Sequence, residues 1–266
     1  MIKDITLGQY FPLDSIIHKL DPRFKILATF IYIVLVFFAN SVLTYSLVAL
    51  FCFGVVFLSK VKLSLVLKSV KPLLLIIVFT AVINLFFTSG TDIIWKWKFL
   101  KITYTGVENA VNMALRLIFL VMGSSLLTYT TSPILLTDGI ERLLKPFSKI
   151  GLPSHEIAMM MTIALRFIPT LLEETEKIMT AQKSRGADFE SGNLLNRAKA
   201  LIPVIIPLFI NAFKRADELA TAMECRCYRG GDGRTRLRVL KFGKRDLIAA
   251  VVLLVFSVLL VILSAI

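Results

Sequence analysis

The 266 residues are 56% hydrophobic and only 18% charged, yet the net charge is +13 and the mean hydropathy is +0.78. Soluble globular domains carry more charge and less apolar content, so the soluble classes are excluded. The basic residues fall between apolar runs. That assigns them to membrane topology and to anionic lipid or acidic protein partners, not to nucleic acid.

The first 25 residues are polar and mixed in charge and do not read as a cleavable signal, so the first apolar run is expected to be a retained span. Spanning takes about 20 apolar residues. Runs approaching that length are Ile26–Asn40, Val42–Ser59, Leu73–Phe87 (after Pro72), Val107–Tyr129 with Arg116 inside it, and Leu247–Ile266. The first two follow so closely that they read as a hairpin. Two further runs, Ile157–Leu172 and Leu201–Phe213, are shorter and contain Pro169, Pro203 and Pro207. They continue as amphipathic helices, with stripes through Ile157, Met160, Met161, Ala164, Leu165, Ile168, Leu171 and Leu172 and through Ile205, Leu208, Phe209, Ala212, Phe213, Ala216, Leu219, Ala220 and Met223.

The positive-inside rule favours five spans with a cytoplasmic N-terminus. Lys3, Lys19, Arg23, Lys25, Lys60, Lys62, Lys68, Lys71 and the many cations from Arg142 to Arg245 then lie inside. Lys96, Lys98 and Lys101 stay outside beside Trp95 and Trp97. If the two short runs also spanned, Lys177, Lys183, Arg185, Arg197 and Lys199 would face outward. The expected fold is an all-α integral membrane protein. It has about five transmembrane helices plus a cytoplasmic coupling domain of one short and two long crossed helices. Residues 1–130 form the N-terminal membrane domain with four helices, 131–244 the cytoplasmic domain and 245–266 the last span.

Within 131–244 the pattern predicts a short helix Pro133–Ser148, a turn at Gly151-Leu152-Pro153, a long helix Ser154–Arg185 and a second long helix Leu194–Tyr228. Ser154 stands where an N-cap would, and Gly186 and Gly230 where C′ glycines would. A Gly- and Arg-rich linker, Gly230–Lys244, leads to the last span. The long helices end alike, in Ser184-Arg185-Gly186 and in Cys225-Arg226-Cys227. A cation at a helix C-terminus is favoured by the macrodipole whatever its function. Small neighbours, however, also leave a guanidinium free to enter an acidic pocket and pair bidentately with carboxylates. About 32 residues separate the ends of the second helix, roughly 48 Å if straight.

Signs of chemistry are sparse. There is no G-x-x-x-x-G-K-[ST] loop and no His-Glu-x-x-His. His155-Glu156 is an isolated pair, and Glu173, Glu174 and Glu176 read as a solvated face. Cys52 reads as a buried small apolar residue, and Cys225 and Cys227 have no histidine nearby in sequence, so no metal site is expected. Arg116 is an intramembrane cation, either functional or paired with headgroups or a polar partner. Met159, Met160, Met161 and Met179 give either an adaptable contact surface or packing against the companion helix.

The chain resembles one family. The paired helix-end triplets are similar to the Ala-Arg-Gly-like triplets that end the two coupling helices of the transmembrane T component of energy-coupling-factor (ECF) transporters. Gly8-Gln9-Tyr10, Asp14-Ser15, His18, Leu20-Asp21-Pro22-Arg23, Ala164-Leu165-Arg166-Phe167-Ile168-Pro169 and the stretch Ala216-Asp217-Glu218-Leu219-Ala220 to Tyr228 also look like that family. The resemblance runs in order along essentially the whole chain. It departs from the family at Ser184, where alanine is common, and at Cys225 and Cys227, where alanine, glycine or serine is common.

The resemblance implies a non-catalytic scaffold of an ABC importer for vitamins or other micronutrients, metal ions among them, in a prokaryotic plasma membrane. It implies docking of two ABC-type ATPase subunits through Ser184, Arg185, Gly186, Cys225, Arg226 and Cys227. It also implies contact with one membrane-embedded S component, dedicated or shared, with Met160, Ala164, Ile168, Ile205, Phe209 and Phe213 as the facing residues. ATP and Mg would be held by the partner ATPases and no cofactor by this chain. A membrane-anchored receptor for nucleic acid or anionic lipid, using the basic linker Arg229–Arg245, is one competing reading, against which that linker is ordinary positive-inside charge. A permease lining its own substrate path and a membrane-embedded enzyme are the other two. They require converging polar groups, or a nucleophile, metal ligands or a carboxylate pair, at membrane depth.

Overall fold

The computed structural model describes residues 10–265 apart from 89–92, 98–99, 152, 190–192, 232–239 and 241. Lys3, Gly8, Gln9, Lys98, Leu152, part of the loop between the long helices and most of the basic linker therefore lie outside the described residues. So do the side chains of Trp95, Trp97, Lys96 and Lys101.

The structure is helical: α1 (Pro22–Phe37), α2 (Val42–Ser59), α3 (Leu63–Val70), α4 (Leu74–Phe87), α5 (Tyr104–Thr130), α6 (Pro133–Leu144), α7 (Ser154–Ser184), α8 (Leu194–Cys225) and α9 (Lys244–Ala265). A single 3₁₀ turn, Lys71–Leu73, joins α3 to α4 at Pro72, so the span read as 73–87 is part of a longer rod. A small antiparallel hairpin, Ile93–Trp97 with Leu100–Thr103, separates α4 from α5 and was not legible in the sequence. The short helix after Pro133 ends at Leu144, where Pro146 turns the chain into a 3₁₀ segment running to Ile150.

By length and composition, six helices among the described residues can cross a membrane: Val42–Ser59, Leu63–Phe87, Tyr104–Thr130, Ser154–Ser184, Leu195–Cys225 and Lys244–Ala265. This differs from the sequence expectation in two ways. The first run folds as a helix of only 16 residues, about 24 Å long. The runs 157–172 and 201–213 sit in the long helices the pattern predicts, of 31 and 32 residues, and these helices as wholes are long and apolar enough to cross. Contiguous run length undercounts here, because isolated polar residues interrupt each run without ending the helix. Charge distribution, not length, must decide where α7 and α8 lie.

The chain divides into two compact units. Of the described residues, those within 141–237 make one, and those up to 140 and from 240 make the other. In the latter, α1, α2, α5 and α9 pack around Tyr32, Val36, Val48, Cys52, Met122, Phe256 and Leu260. Phe51 links them, stacked on Phe256 at 4.1 Å and on Tyr32 at 6.0 Å. Tyr32 lies flat against Gly123 of α5, and its hydroxyl donates to Phe119 O at 3.1 Å. A Cβ at position 123 would overlap the Tyr32 ring. Gly123→Ala should therefore destabilise the protein by about 1–3 kcal/mol, the usual cost of overpacking. Thermal unfolding in detergent reads this, and an unchanged midpoint would refute it.

Arg116 has a defined place. Its Nη2 donates to Ala39 O at 3.0 Å and to Asn40 Oδ1 at 3.2 Å, and its guanidinium lies 5.7 Å from the Phe37 ring centroid. It thus ties α5 to the tight α1–α2 turn, where the last carbonyls of a short helix have no intrahelical partner.

Candidate docking and coupling surfaces

The two arginine triplets adopt the same backbone. At the end of α7, Arg185 is the C-cap and Gly186 is left-handed at φ +89°. Gly186 N donates to Lys183 O, and Ala187 N to Gln182 O, both at 3.0 Å. At the end of α8, Arg226 is the C-cap and Cys227 is left-handed at φ +55°. Cys227 N donates to Glu224 O at 2.8 Å and Tyr228 N to Met223 O at 3.0 Å. Both ends are Schellman motifs, with the arginine at the same register. All six triplet residues are exposed, and neither arginine has a side-chain partner among the described residues.

Two expectations about these helices change. α8 ends at Cys225, and its C′ residue is Cys227 rather than Gly230, which is left-handed (φ +87°) three positions later. α7 is capped by Pro153 without a side-chain hydrogen bond, and Ser154 is its first helical, buried residue. A left-handed conformation costs a residue with a Cβ about 1–2 kcal/mol relative to the right-handed one. Cys227→Gly should thus be stability-neutral or better, and the β-branched Cys227→Val should lose about 1 kcal/mol or more. Amide exchange at the end of α8 checks this, and equal protection in the two variants would contradict it.

α7 and α8 pack on each other antiparallel. Glu174 accepts hydrogen bonds from Asn211 and Arg215, the latter at 3.4 Å. Ile163, Phe167 and Leu171 face Ala212, Ala216, Leu219, Ala220 and Met223 across a cleft of about 340 Å³. The α7 packing face is thus set by Ile163, Phe167 and Leu171, rotated from the predicted stripe. The predicted α8 stripe divides: Ala212, Ala216, Leu219, Ala220 and Met223 meet α7, while Ile205, Phe209 and Phe213 point away. Ile205, Phe209 and Phe213 are 55%, 62% and 64% exposed, and the two phenyl rings lie 4.7 Å apart. Met160 is 58% exposed, Ala164 is exposed and Ile168 is partly buried. Glu174 leaves the solvated acidic face and becomes a bridge between the helices.

At the start of α7, His155 is not an isolated residue. Its Nδ1 is 3.1 Å from Glu141 Oε1, and its Nε2 is 3.5 Å from Tyr228 Oη, two residues beyond Arg226. The segment just after α8, which follows the second triplet, therefore meets the beginning of α7, and His155 there also reaches the last turns of α6. Among the described residues no cluster of three or more His, Cys, Asp or Glu forms a metal-binding group.

A family model described as "Cobalt transport protein" (CbiQ) matches residues 14–237. The chain is 60% identical over 256 residues to the energy-coupling factor transporter transmembrane protein EcfT of Clostridium kluyveri, covering 96% of this chain and 95% of that protein. It is 58% identical over 260 residues to the EcfT of Acidaminococcus fermentans, covering 98% and 97%. It is 46% identical over 265 residues to the EcfT of Bacillus subtilis, covering the whole of both chains. The chain belongs to the EcfT/CbiQ family. As an EcfT it is the energy-coupling transmembrane component of an ECF transporter, a membrane protein of transport.

The N-terminal segment that resembles other EcfT chains has a structural task that sequence reasoning missed. Asp21 caps α1 through Arg23 N at 2.9 Å and pairs with the Arg23 guanidinium at 3.1 Å. Asp246, at the start of α9, accepts from Asp21 N and from Gly243 N, each at 2.8 Å. Lys25 is 6% exposed, and its Nζ donates to Thr130 O at 2.9 Å, His18 O at 3.1 Å and Thr131 Oγ1 at 3.3 Å. His18 Nε2 faces Phe11 O at 3.0 Å, and a carbonyl only accepts, so Nε2 carries the proton. Nδ1 then accepts from the Ser15 hydroxyl at 2.7 Å. Burial pushes His18 below the usual imidazole range, in keeping with this neutral tautomer. Buried charges with partners this distant in sequence were the signal, and only an extended polar motif next to a span hinted at them.

Proposed function

We propose that this EcfT docks one ABC-type ATPase at each of its two arginine-bearing helix ends and presents the apolar face of α7 and α8 to a membrane-embedded S component. The observation that carries this reading is the identical Schellman geometry of the triplets at the far ends of two packed helices. A matched pair of exposed, unpartnered guanidinium groups suits a matched pair of acidic grooves. ATP and Mg belong to the ATPases in this reading, and the cargo, a vitamin or other micronutrient, is chosen by the S component.

The exposed row Ile205, Phe209 and Phe213 supports the S-component contact, since contiguous exposed aromatic and aliphatic surface marks a partner or bilayer face. The charges Lys177, Lys183, Arg185, Arg197 and Lys199 support a reading with α7, α8 and the N-terminus on the cytoplasmic side of a plasma membrane. Antiparallel packing around Glu174 makes the helix pair a lever, so movement of the ATPases at its ends reaches the S component. The permease reading gains no support. Arg116 is bound to Ala39 O and Asn40, and Asn84 donates to Thr80 O of its own helix at 2.9 Å.

Reconstitution tests the proposal. Proteoliposomes holding this chain, an ATPase pair and an S component should take up the S component's ligand only with ATP, and only with the chain present. Uptake by the chain and ATPases without an S component would support the permease and refute the scaffold.

A further inference from the structure

The membrane unit contains a groove that the coupling role does not use. It is a cavity of about 320 Å³ between α1, α2, α5 and α9, lined toward one end by Tyr32, Phe51 and Gly123 and toward the other by Ile16, Ile17 and Arg245. Its walls are almost wholly apolar, with Phe24, Ala28, Val55, Leu127, Ala249 and Val252 among them. From Arg245 to Leu253 along α9, and from Phe24 to Tyr32 along α1, the groove runs about 12 Å at the helical rise. One leaflet of hydrocarbon is about 15 Å deep, half of the usual ~30 Å core. The groove thus matches the reach of an acyl chain within a single leaflet.

The same end of the unit holds the start of α1, the end of α2, the end of α5 and the start of α9. Lys60, Lys62 and Lys244 are found there as well as Arg245. Two cations line the groove itself. Lys25 has its donors committed to Thr130 O, His18 O and Thr131 Oγ1. Arg245 is exposed and has no side-chain partner among the described residues. Its neighbour Asp246 is buried and turned toward Asp21 N and Gly243 N, so Arg245 forms no ion pair with it.

We infer that this groove binds an anionic glycerophospholipid, one acyl chain lying along Ala28, Ala249 and Val252 and the phosphate paired with Arg245. Charge complementarity at the mouth and a one-leaflet length distinguish this occupant from a zwitterionic lipid and from a peptide. A peptide backbone would bury unpaired N–H and C=O groups against apolar walls.

The test uses the full chain in detergent with equal amounts of dioleoyl phosphatidylglycerol and dioleoyl phosphatidylcholine, and native mass spectrometry to count retained lipid. One phosphatidylglycerol should be retained per chain, preferred about fivefold, as expected for one basic residue at a membrane surface. Arg245→Gln should remove the preference, Arg245→Lys should keep most of it, and Ala249→Trp should abolish retention of both lipids. Equal retention of the two lipids by the parent chain would overturn the inference, as would parental behaviour in Arg245→Gln or Ala249→Trp. Loss of the bound lipid whenever the assembled transporter forms would assign the groove to a protein partner and also overturn it. Arg245 lies at the surface, so its variants remain informative if Ala249→Trp does not fold.

Discussion

Arg185→Glu with Arg226→Glu should abolish co-purification of the ATPase pair and reduce ATP-driven uptake to background. Truncating one partner of a desolvated charge pair costs about 2–5 kcal/mol, and reversal adds repulsion, so each single variant should weaken docking roughly 100-fold or more. The singles should differ in kind from the double. With one end intact, one ATPase can still bind, and coupling fails because the pair no longer moves both ends of the lever. The effect on the chain's own stability should be small, because both side chains are exposed and unpartnered among the described residues. Melting temperature thus serves as the control. Full ATPase recovery with the double variant would contradict docking at these ends.

Lys25→Met should be the most destabilising single change in the membrane unit. It removes the donors that hold Thr130 O, Thr131 Oγ1 and His18 O, and it leaves the buried Asp246 carboxylate without its nearby cation. Removing one member of a buried charge set costs about 3–5 kcal/mol. Asp246→Ala should cost about 3 kcal/mol, since two backbone N–H groups lose a charged acceptor at once. Asp246→Asn keeps one amide oxygen as acceptor and should lose about half as much. Thermal unfolding in detergent measures all three, and equal midpoints for Asp246→Ala and the parent would show that these caps hold nothing.

The helices and their polarity were readable because they depend on local composition. An 18-residue run such as Val42–Ser59 leaves one interpretation in a membrane protein. Gly186 was readable as a left-handed stop because glycine tolerates positive φ without penalty. Cys227 was not, because nothing in a cysteine announces that conformation, and Gly230 drew the assignment three residues too far. Run length alone leaves the placement of α7 and α8 undecided for a different reason. Polar residues at the helix contact, such as Glu174 with Asn211 and Arg215, interrupt an apolar count although they stabilise the pair.

The stripes were correct in period and incomplete in direction. Periodicity places Ala212 and Phe213 on one broad face, and only the rotation of the two packed helices sets Ala212 against α7 and leaves Phe213 exposed. The Asp21–Asp246 and Lys25–Thr130 contacts join positions 225 and 105 residues apart, and no local pattern predicts such pairings. The motif around Asp14, His18 and Asp21 was visible in outline, and its purpose became legible only with α9 beside it.

The docking claim can be read directly from thiol chemistry. Cys225 and Cys227 are exposed on either side of Arg226, and Cys52 is buried as an internal control. Ser184→Cys gives the other helix end the same reporter beside Arg185. The measurement is the rate of maleimide labelling at positions 184, 225 and 227, with and without the ATPase pair. Simultaneous protection at both ends, with Cys52 unreactive throughout, is the predicted result. Labelling that proceeds at the same rate with the ATPases bound would contradict it.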